Sequence, residues 1–589
     1  MEKNENKTSG VLPGIIIAAL ACSLRLIGLG GAALSMNEAE NALTAAELFA
    51  TNGSGAGRLL YELPTALLFK LFGESEFTAR LFPAVCGILL ALLPLFFMNR
   101  LGRGKALALS FLLAIDPVLL FWSKRADALL PSVLMTAVAG VCLYLGMNAR
   151  GLLFLLLALC GGERAWPALI ILVILTALEP LKNKTLRPVL PGKKDLAAVC
   201  IGFLALILCF GAFPGGIACF GNGFVNSFSA LPEWAHPGLA ATLIAVFLYL
   251  GIPLLLVILR CVFERTAKYL LQAVLFAVPA ILWMGVTALP YVSLLLWLIA
   301  ADIVLGMHEA VRGAEKRFAF WVTACAVPGV YSYFWFRLVD LFRYPTTDQA
   351  ASVLWNGETV TLPFSRLTAS IILTVISVLI IVLIVKILSD LFDPRVFYPG
   401  LICGGMIILL WGLVTNAWTA GNFDRDADHP ASARATGNIT LLDGGDAVAA
   451  DNVFLELFEE TRAKRGDASN RPWVLNLASD DAILRWQLRD VDGIENSGNM
   501  HSNLDTVDVI LDPDETHGYS YAGFSGGTFT LEESRDFRSY SLYDWGKWIL
   551  FRDGSTVTKS ISMWVDNQYL IMQDTGESEY GAEEFTEAQ

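Results

Sequence analysis

The sequence predicts a polytopic α-helical membrane protein with a water-soluble α/β domain at its C-terminal end, and three observations lead there. Hydrophobic residues fill 55% of the 589 positions, and mean hydropathy is +0.56, too apolar for a soluble chain of this size. Apolar runs long enough to cross a bilayer recur as far as residue 419. Charge is divided as well. From Ala420 to Gln589 there are 13 lysines and arginines against 32 aspartates and glutamates, a net of −19 in a chain whose total is −13. The first 419 residues are therefore slightly basic and the rest strongly acidic. The bilayer is an expected partner and nucleic acid is not.

All ten cysteines precede position 420, scattered with no C-x-x-C pair. That argues against a disulfide framework and a structural zinc site, and they read as small apolar residues of membrane helices. The first apolar segment has no small-residue cleavage site and is followed by many more, so it reads as an anchor rather than a removed signal.

Spanning candidates fall near 11–30, 81–99, 106–122, 128–147, 196–213, 237–259, 268–287, 291–307, 318–340, 367–388 and 397–419. The stretch 151–180 is split by Gly161-Gly-Glu-Arg-Ala-Trp-Pro167 and reads as one span or as a hairpin of two. Basic residues choose between these readings. They cluster at Arg100/Arg103/Lys105, Arg150, Lys182–Lys194, Arg260/Arg265/Lys268, Arg312/Lys316/Arg317 and Lys386/Arg395. With Lys3 and Lys7 inside, 13 spans put every cluster on the cytoplasmic face and the acidic C-terminal region outside, whereas 12 invert every loop after 180. The expectation is about 13 spans over 1–419, in a plasma membrane. The long outer loops are then 31–80, 214–236 and 341–366, where substrate contacts would lie.

Beyond 420 short β-type runs (438–442, 473–477, 507–511) alternate with helical stretches (447–464, 479–489). The alternation predicts a small α/β domain with a parallel sheet over 420–573. The residues 574–589 read as an acidic disordered tail.

Three acidic positions stand out near the expected membrane surface, where carboxylates are costly unless solvated, paired or used. Ser35-Met-Asn-Glu38 fits a capping box opening a helix through Phe49, so Glu38 either caps its own helix or serves a site. Glu62 precedes Pro64, which suits the first turn of a helix reaching Phe72. It is either a carboxylate near a helix N-terminus or a ligand group. Asp127 closes the short turn Trp122-Ser-Lys-Arg-Ala-Asp127 and either pairs with Lys124 or Arg125 or faces a substrate.

The same segments carry a resemblance. Leu24-Arg-Leu26 followed by Asn37-Glu-Ala-Glu-Asn-Ala42, Tyr61-Glu-Leu-Pro64, Leu71-Phe-Gly-Glu-Ser-Glu-Phe-Thr-Ala-Arg-Leu-Phe-Pro83 and Phe121-Trp-Ser-Lys-Arg-Ala-Asp127 resemble the N-terminal motifs of glycosyltransferase family 39. These are GT-C-type membrane enzymes that include protein O-mannosyltransferases and aminoarabinose transferases. The third segment is the most specific. Leu484-Arg-Trp-Gln-Leu-Arg-Asp-Val491 and Tyr543-Asp-Trp-Gly-Lys-Trp548 resemble the soluble tails of archaeal and Chloroflexi-type members, often called flippase-associated.

The resemblance implies a GT-C-like membrane domain over 1–419 that moves a sugar from a polyprenyl-phosphate donor to a glycan, lipid or protein acceptor on the outer face. It implies Glu38 and Asp127 as catalytic residues, and Asn37, Arg58, Glu62 and Arg125 as substrate contacts. Arg58, Arg80 and Arg125 are available to hold a phosphate, with Arg80 alternatively structural, and a divalent metal would draw on Glu62 and on His236 reaching in from the loop at 214–236. The sequence departs from the family pattern at Asn37, where an acid is expected, and at Leu63, where a lysine is expected. Either Glu38 takes over as base, or the chain is a catalytically silent scaffold that binds lipid-linked sugar. A transporter, which would show repeats and mid-membrane charge, ranks last.

Overall fold

The computed structural model describes residues 11–570, apart from 32, 54–56, 183–191, 212, 230–238, 313, 344–349 and 356–357 in the first part. In the second part it leaves out 422–441, 443–445, 448–456, 459, 464–472, 478–480, 492, 497–506, 513–520, 536, 538 and 552–556. The principal helices begin with α1 (Val11–Leu26), α2 (Met36–Glu47), α3 (Leu59–Phe72), α4 (Glu76–Phe96), α5 (Arg103–Ala114) and α6 (Pro117–Ser123). There follow α7 (Leu129–Tyr144), α8 (Asn148–Leu159), α9 (Trp166–Lys182), α10 (Lys193–Ile207), α11 (Gly216–Ser229) and α12 (Leu239–Phe263). The membrane part closes with α13 (Lys268–Met284), α14 (Leu289–Val311), α15 (Phe318–Arg343), α16 (Arg366–Leu391) and α17 (Pro394–Ala420).

The protein is a polytopic α-helical membrane protein, but the expected count of about 13 spans is wrong. Among the described residues five stretches are long and apolar enough to cross a bilayer: Glu76–Phe96, Ala240–Phe263, Lys268–Val311, Thr368–Leu391 and Pro394–Ala420. Two bent pairs raise this to seven if each is one span. Apolar composition does not set helix length, and about 20 residues are needed to cross a core of about 30 Å. Helices α1 and α7 have 16 residues, α10 has 15 and α8 has 12. The runs at 268–287 and 291–307 form one stretch. The split in 151–180 is a real break, bent by 119°, with too short a helix before it to make two crossings. Helix α15 is long but carries Arg337, Asp340 and Arg343 among its aromatic residues.

The other break, 58° between α5 and α6, has a local cause. Pro117 opens α6 and cannot continue the preceding hydrogen-bond ladder. The Asp116 side chain caps α6 by accepting from the Leu119 N–H at 2.7 Å. Arg25 of α1, wholly buried, donates to the carbonyls of Leu113 and Ala114 that end α5, at 3.1 and 3.0 Å. Both cut ends are thus satisfied inside the bundle, as an apolar medium demands. Helix α6 then delivers the Lys124–Asp127 turn to the same end of the bundle as α2.

The loop 341–366 contains an antiparallel pair, β1 (Ala350–Trp355) with β2 (Glu358–Ser365). The C-terminal region holds β3 (Asp446–Ala447), β4 (Val474–Asn476), β5 (Ile494–Asn496), β6 (Val509–Asp512), β7 (Phe524–Ser534) and β8 (Val557–Asp566), with short helices α18 (Ala482–Gln487) and α19 (Leu542–Phe551). These strands form an open sheet in the order β3-β7-β8-β6-β4-β5. The expected parallel sheet is mixed: β4 pairs in parallel with β5 and β6, while β8 runs antiparallel to β6 and β7. The long β7–β8 pair was missed because it lacks an apolar run at its start, Phe524-Ser-Gly-Gly-Thr-Phe529. Of the expected elements, 438–441 and most of 447–464 lie outside the described residues, as does the tail from 574.

The soluble region packs on the membrane part through the Leu484–Val491 segment. Trp486 of α18 lies 5.8 Å from the Phe69 ring of α3 and donates its indole N–H to Glu76 Oε1 at 3.0 Å. Arg485 pairs with Glu47 of α2 at 3.1 Å. Around α19, Phe537, Trp545 and Trp548 join the main membrane core beside Leu413 and Ala420.

Candidate active site at the loop helix

Helix α2 starts where the sequence says it should. Ser35 is the N-cap, and Glu38 Oε2 accepts from the Ser35 N–H at 3.1 Å. The same carboxylate is the hub of a buried ion cluster. Arg80 of α4 donates to it through Nε at 2.8 Å and Nη2 at 2.9 Å. Arg125 donates at 2.9 Å, and so does the Ala126 N–H. Burial would raise the Glu38 pKa, but the Arg80 and Arg125 charges and these hydrogen bonds outweigh it and hold the carboxyl well below the usual range. Arg80 is anchored in turn on the carbonyls of Leu29 and Ala33.

One helical turn along α2, Asn41 links this cluster to a second one. Its amide nitrogen donates to Ala126 O at 2.8 Å, and its oxygen accepts from Arg58 Nη1. Arg58, the N-cap residue of α3, also pairs with Glu163 through Nη2 and lies 3.8 Å from Asp127 Oδ2. Burial would lower the Arg58 pKa, but the Glu163 and Asp127 charges raise it further above its ordinary value. Asp127 is held by Arg164 at 3.3 Å and accepts from the Leu129 N–H at 2.7 Å.

Beside Arg58 is a polar cavity of about 150 Å³, lined by residues that include Asn41, Thr44, Arg58, Glu62, Glu163 and Asn226. Glu62 differs from the other carboxylates there. It is 2% exposed, and its Oε1 accepts from the N–H groups of Gly57 and Arg58 at 3.2 and 3.0 Å. Its Oε2 is buried and meets no hydrogen-bond partner among the described residues. Burial pushes the Glu62 pKa up, and the two backbone donors and the Arg58 charge only partly offset this.

Three glycines let the walls meet. A Cβ on Gly162, which sits at φ +61°, would lie 2.3 Å from Gly57 O, and one on Gly223 would lie 2.4 Å from the same oxygen. No larger residue fits at Gly162 or Gly223, where the break after α8 and α11 converge on the loop before α3. Pro64 lies inside α3, not in its first turn as expected, because the helix begins five residues earlier at Leu59.

The expected site residues therefore divide. Arg58 and Glu62 line the cavity, and Asp127 holds Arg58 from behind. Glu38 and Arg125 belong to the ion cluster on the other side of Asn41. Asn37 is exposed and is not among the cavity residues. His236 lies outside the described residues. Glu163 and Arg164 were passed over, although an ionic pair inside an apolar stretch is itself a signal. Asn41, Thr44 and Asn226 carried only their place in the expected outer loops 31–80 and 214–236.

Of the two expected metal ligands only Glu62 is described, and it meets Gly57 and Arg58 N–H groups rather than a second ligand side chain. Among the described residues no three His, Cys, Asp or Glu side chains come together to hold one. Glu163 and Asp127 are already committed to guanidinium groups.

No family model matches the sequence, and no curated protein matches it. The fold is similar to the crystal structure of ArnT from Cupriavidus metallidurans bound to undecaprenyl phosphate, at a TM-score of 0.46 and 11% identity, over 93% of this chain and 97% of that one. Similarity to ArnT from Cupriavidus metallidurans in the apo state has a TM-score of 0.42 and 13% identity, over 84% and 87% of the two chains. At this level the likeness assigns no chemistry to any residue.

Proposed function

We propose that this chain is a membrane glycosyltransferase that moves a sugar from a polyprenyl-phosphate donor to an acceptor hydroxyl, with Glu62 as general base. One observation carries the reading: Glu62, in the wall of a polar cavity, keeps a buried carboxylate oxygen that meets no partner among the described residues. The N-terminal motifs give the reaction class, by resemblance only. In the proposed step the acceptor hydroxyl gives its proton to Glu62 Oε2, its oxygen forms the new bond to the sugar anomeric carbon, and the bond from that carbon to the donor phosphate breaks. A base within hydrogen-bond reach is what this chemistry needs, and a pKa raised toward neutrality suits the task. Arg58 supplies positive charge beside the departing phosphate. Asp127 and Glu163 orient Arg58, and Glu38 fixes the loop by pairing Arg80 with Arg125. No step runs through a metal.

The basic clusters support placing the cavity on the outer face. Arg103, Arg260 and Arg312 lie at the helix ends away from α2, where the excess of lysine and arginine marks the cytoplasmic side. A second reading, a silent scaffold binding lipid-linked sugar, is favoured by the neutralisation of Arg58 by Glu163 and Asp127. Sugar transfer from polyprenyl-phosphate hexoses in proteoliposomes separates the two. Transfer by the wild type that disappears in Glu62→Gln supports the enzyme; donor binding without transfer by the wild type supports the scaffold.

A further inference from the structure

A second cavity, of about 360 Å³, lies in the half of the bundle away from α2, between α5, α12, α14 and α17. Its floor is Trp297, Leu256 and Leu413, all buried. Its lip is formed by Ile407 and Leu410, each 44% exposed on α17, a helix long and apolar enough to span. The groove therefore opens sideways onto the bilayer rather than to water. Along α14 its lining runs from Trp297 to Val311, about 21 Å of helix at about 1.5 Å per residue.

The floor is preformed. The Trp297 indole N–H donates to Asp116 Oδ2 at 2.7 Å, and Ser293 Oγ donates to the same oxygen at 2.7 Å. With its polar atom satisfied on the far side, Trp297 turns an apolar ring to the groove. Met307 and Met406 line it as well, and their flexible thioethers conform to chains of variable shape. At the distal end His308 lines the groove, and Arg312 and Glu309 are exposed nearby. An unfilled slot of this size would forfeit dispersion contacts along its whole wall, and its apolar lip at Ile407 and Leu410 favours hydrocarbon over water.

We propose that this groove is a binding site for one acyl chain of a bilayer phospholipid from the distal leaflet, its headgroup level with His308 and Arg312. The site is independent of the carboxylate cavity, which lies at the other end of the bundle beyond the Asp116 layer. The inference does not depend on the function proposed above.

The test uses the full-length protein in nanodiscs of phosphatidylethanolamine and phosphatidylglycerol, with a tracer phosphatidylethanolamine carrying a diazirine in one acyl chain. After photolysis the label is mapped by mass spectrometry. Helix α16 is the internal reference, because only 6% of its spanning window is buried and it reports unspecific lipid contact. The expected result is about tenfold enrichment per residue over α16 on the stretches 304–311 and 403–413, as a preference of about 1.4 kcal/mol gives. Ala108→Trp, which fills the groove, and Leu410→Trp, which blocks its half-exposed lip, should each abolish the enrichment. The second variant guards against misfolding of the first. Equal labelling of α16, or unchanged labelling in both variants, overturns the proposal. Displacement by excess unlabelled polyprenyl phosphate also overturns it, by giving the groove to the donor.

Discussion

Replacing Glu62 and Glu38 separately by glutamine should produce opposite phenotypes, although both are buried carboxylates on neighbouring helices. Glu38 accepts hydrogen bonds from Arg80, Arg125, Ala126 and Ser35. Glu38→Gln removes the negative charge between two guanidinium groups that are 4% and 13% exposed. Breaking a buried pair by removing one partner costs about 3–5 kcal/mol, so this variant should unfold well below the wild type. Its carboxyl has a folded pKa below the unfolded value of about 4.3. The stability it adds is therefore present above that value and is lost as pH falls through the folded one.

Glu62 is the reverse case. Its folded pKa is raised, so its contribution is full below the unfolded value and lost as pH rises through the folded one. Glu62→Gln keeps an oxygen for the Gly57 and Arg58 N–H groups and removes a charge that burial disfavours. Its melting temperature at neutral and alkaline pH should equal or exceed that of the wild type. Transfer should fall about 10²–10⁴-fold, the usual worth of a general base, or about 2.7–5.4 kcal/mol at 1.36 kcal/mol per decade. The assay is initial rate in proteoliposomes beside thermal unfolding of the same preparations. Glu62→Gln with near wild-type transfer, or with a loss of stability matching that of Glu38→Gln, would refute the assignment of the base.

The pH–rate profile of the wild type should rise with pH along a limb displaced to the alkaline side of an ordinary carboxylate, and Glu62→Asp should keep a limb that Glu62→Gln loses. Gly223→Ala forces a Cβ to within 2.4 Å of Gly57 O; overpacking of this kind costs about 1–3 kcal/mol and should raise KM, read from donor titrations. Trp486→Ala loses the Phe69 contact and the Glu76 hydrogen bond. It should destabilise by about 3–5 kcal/mol and speed hydrogen exchange on α2, measured by mass spectrometry.

Some of the site was legible in the sequence because its signal is local. Ser35 and Glu38 are three residues apart, so their reciprocal cap could be read directly, and α2 opens there. Arg58 and Glu62 lie within one helical turn of each other. What Glu38 does beyond capping was not legible. Arg80 and Arg125 reach it from 42 and 87 positions away, and sequence spacing does not encode which distant cation faces a carboxylate. Nor was it visible that Glu62 keeps one oxygen without a partner among the described residues, in a cavity wall that Glu163 and Asn226 join from separate segments. The span count failed for a related reason. Hydropathy measures the cost of placing a segment in lipid, but it does not report where a helix ends: at Asp116 the break is satisfied by Arg25 of a neighbouring helix, and α1, α7, α8 and α10 are apolar yet short.

By itself, then, the sequence determined the medium of each part: an apolar basic region that partitions into lipid, an acidic region that stays in water, and a carboxylate-rich loop at their boundary. Transfer energies add residue by residue, so composition suffices for that much. Only the tertiary structure decided which helices are long enough to cross, which carboxylates are neutralised by arginine and which one, in a cavity wall, buries an oxygen that meets no partner among the described residues. Those outcomes depend on ion pairs and close backbone approaches between segments far apart in the chain, where a shift of an ångström changes the result.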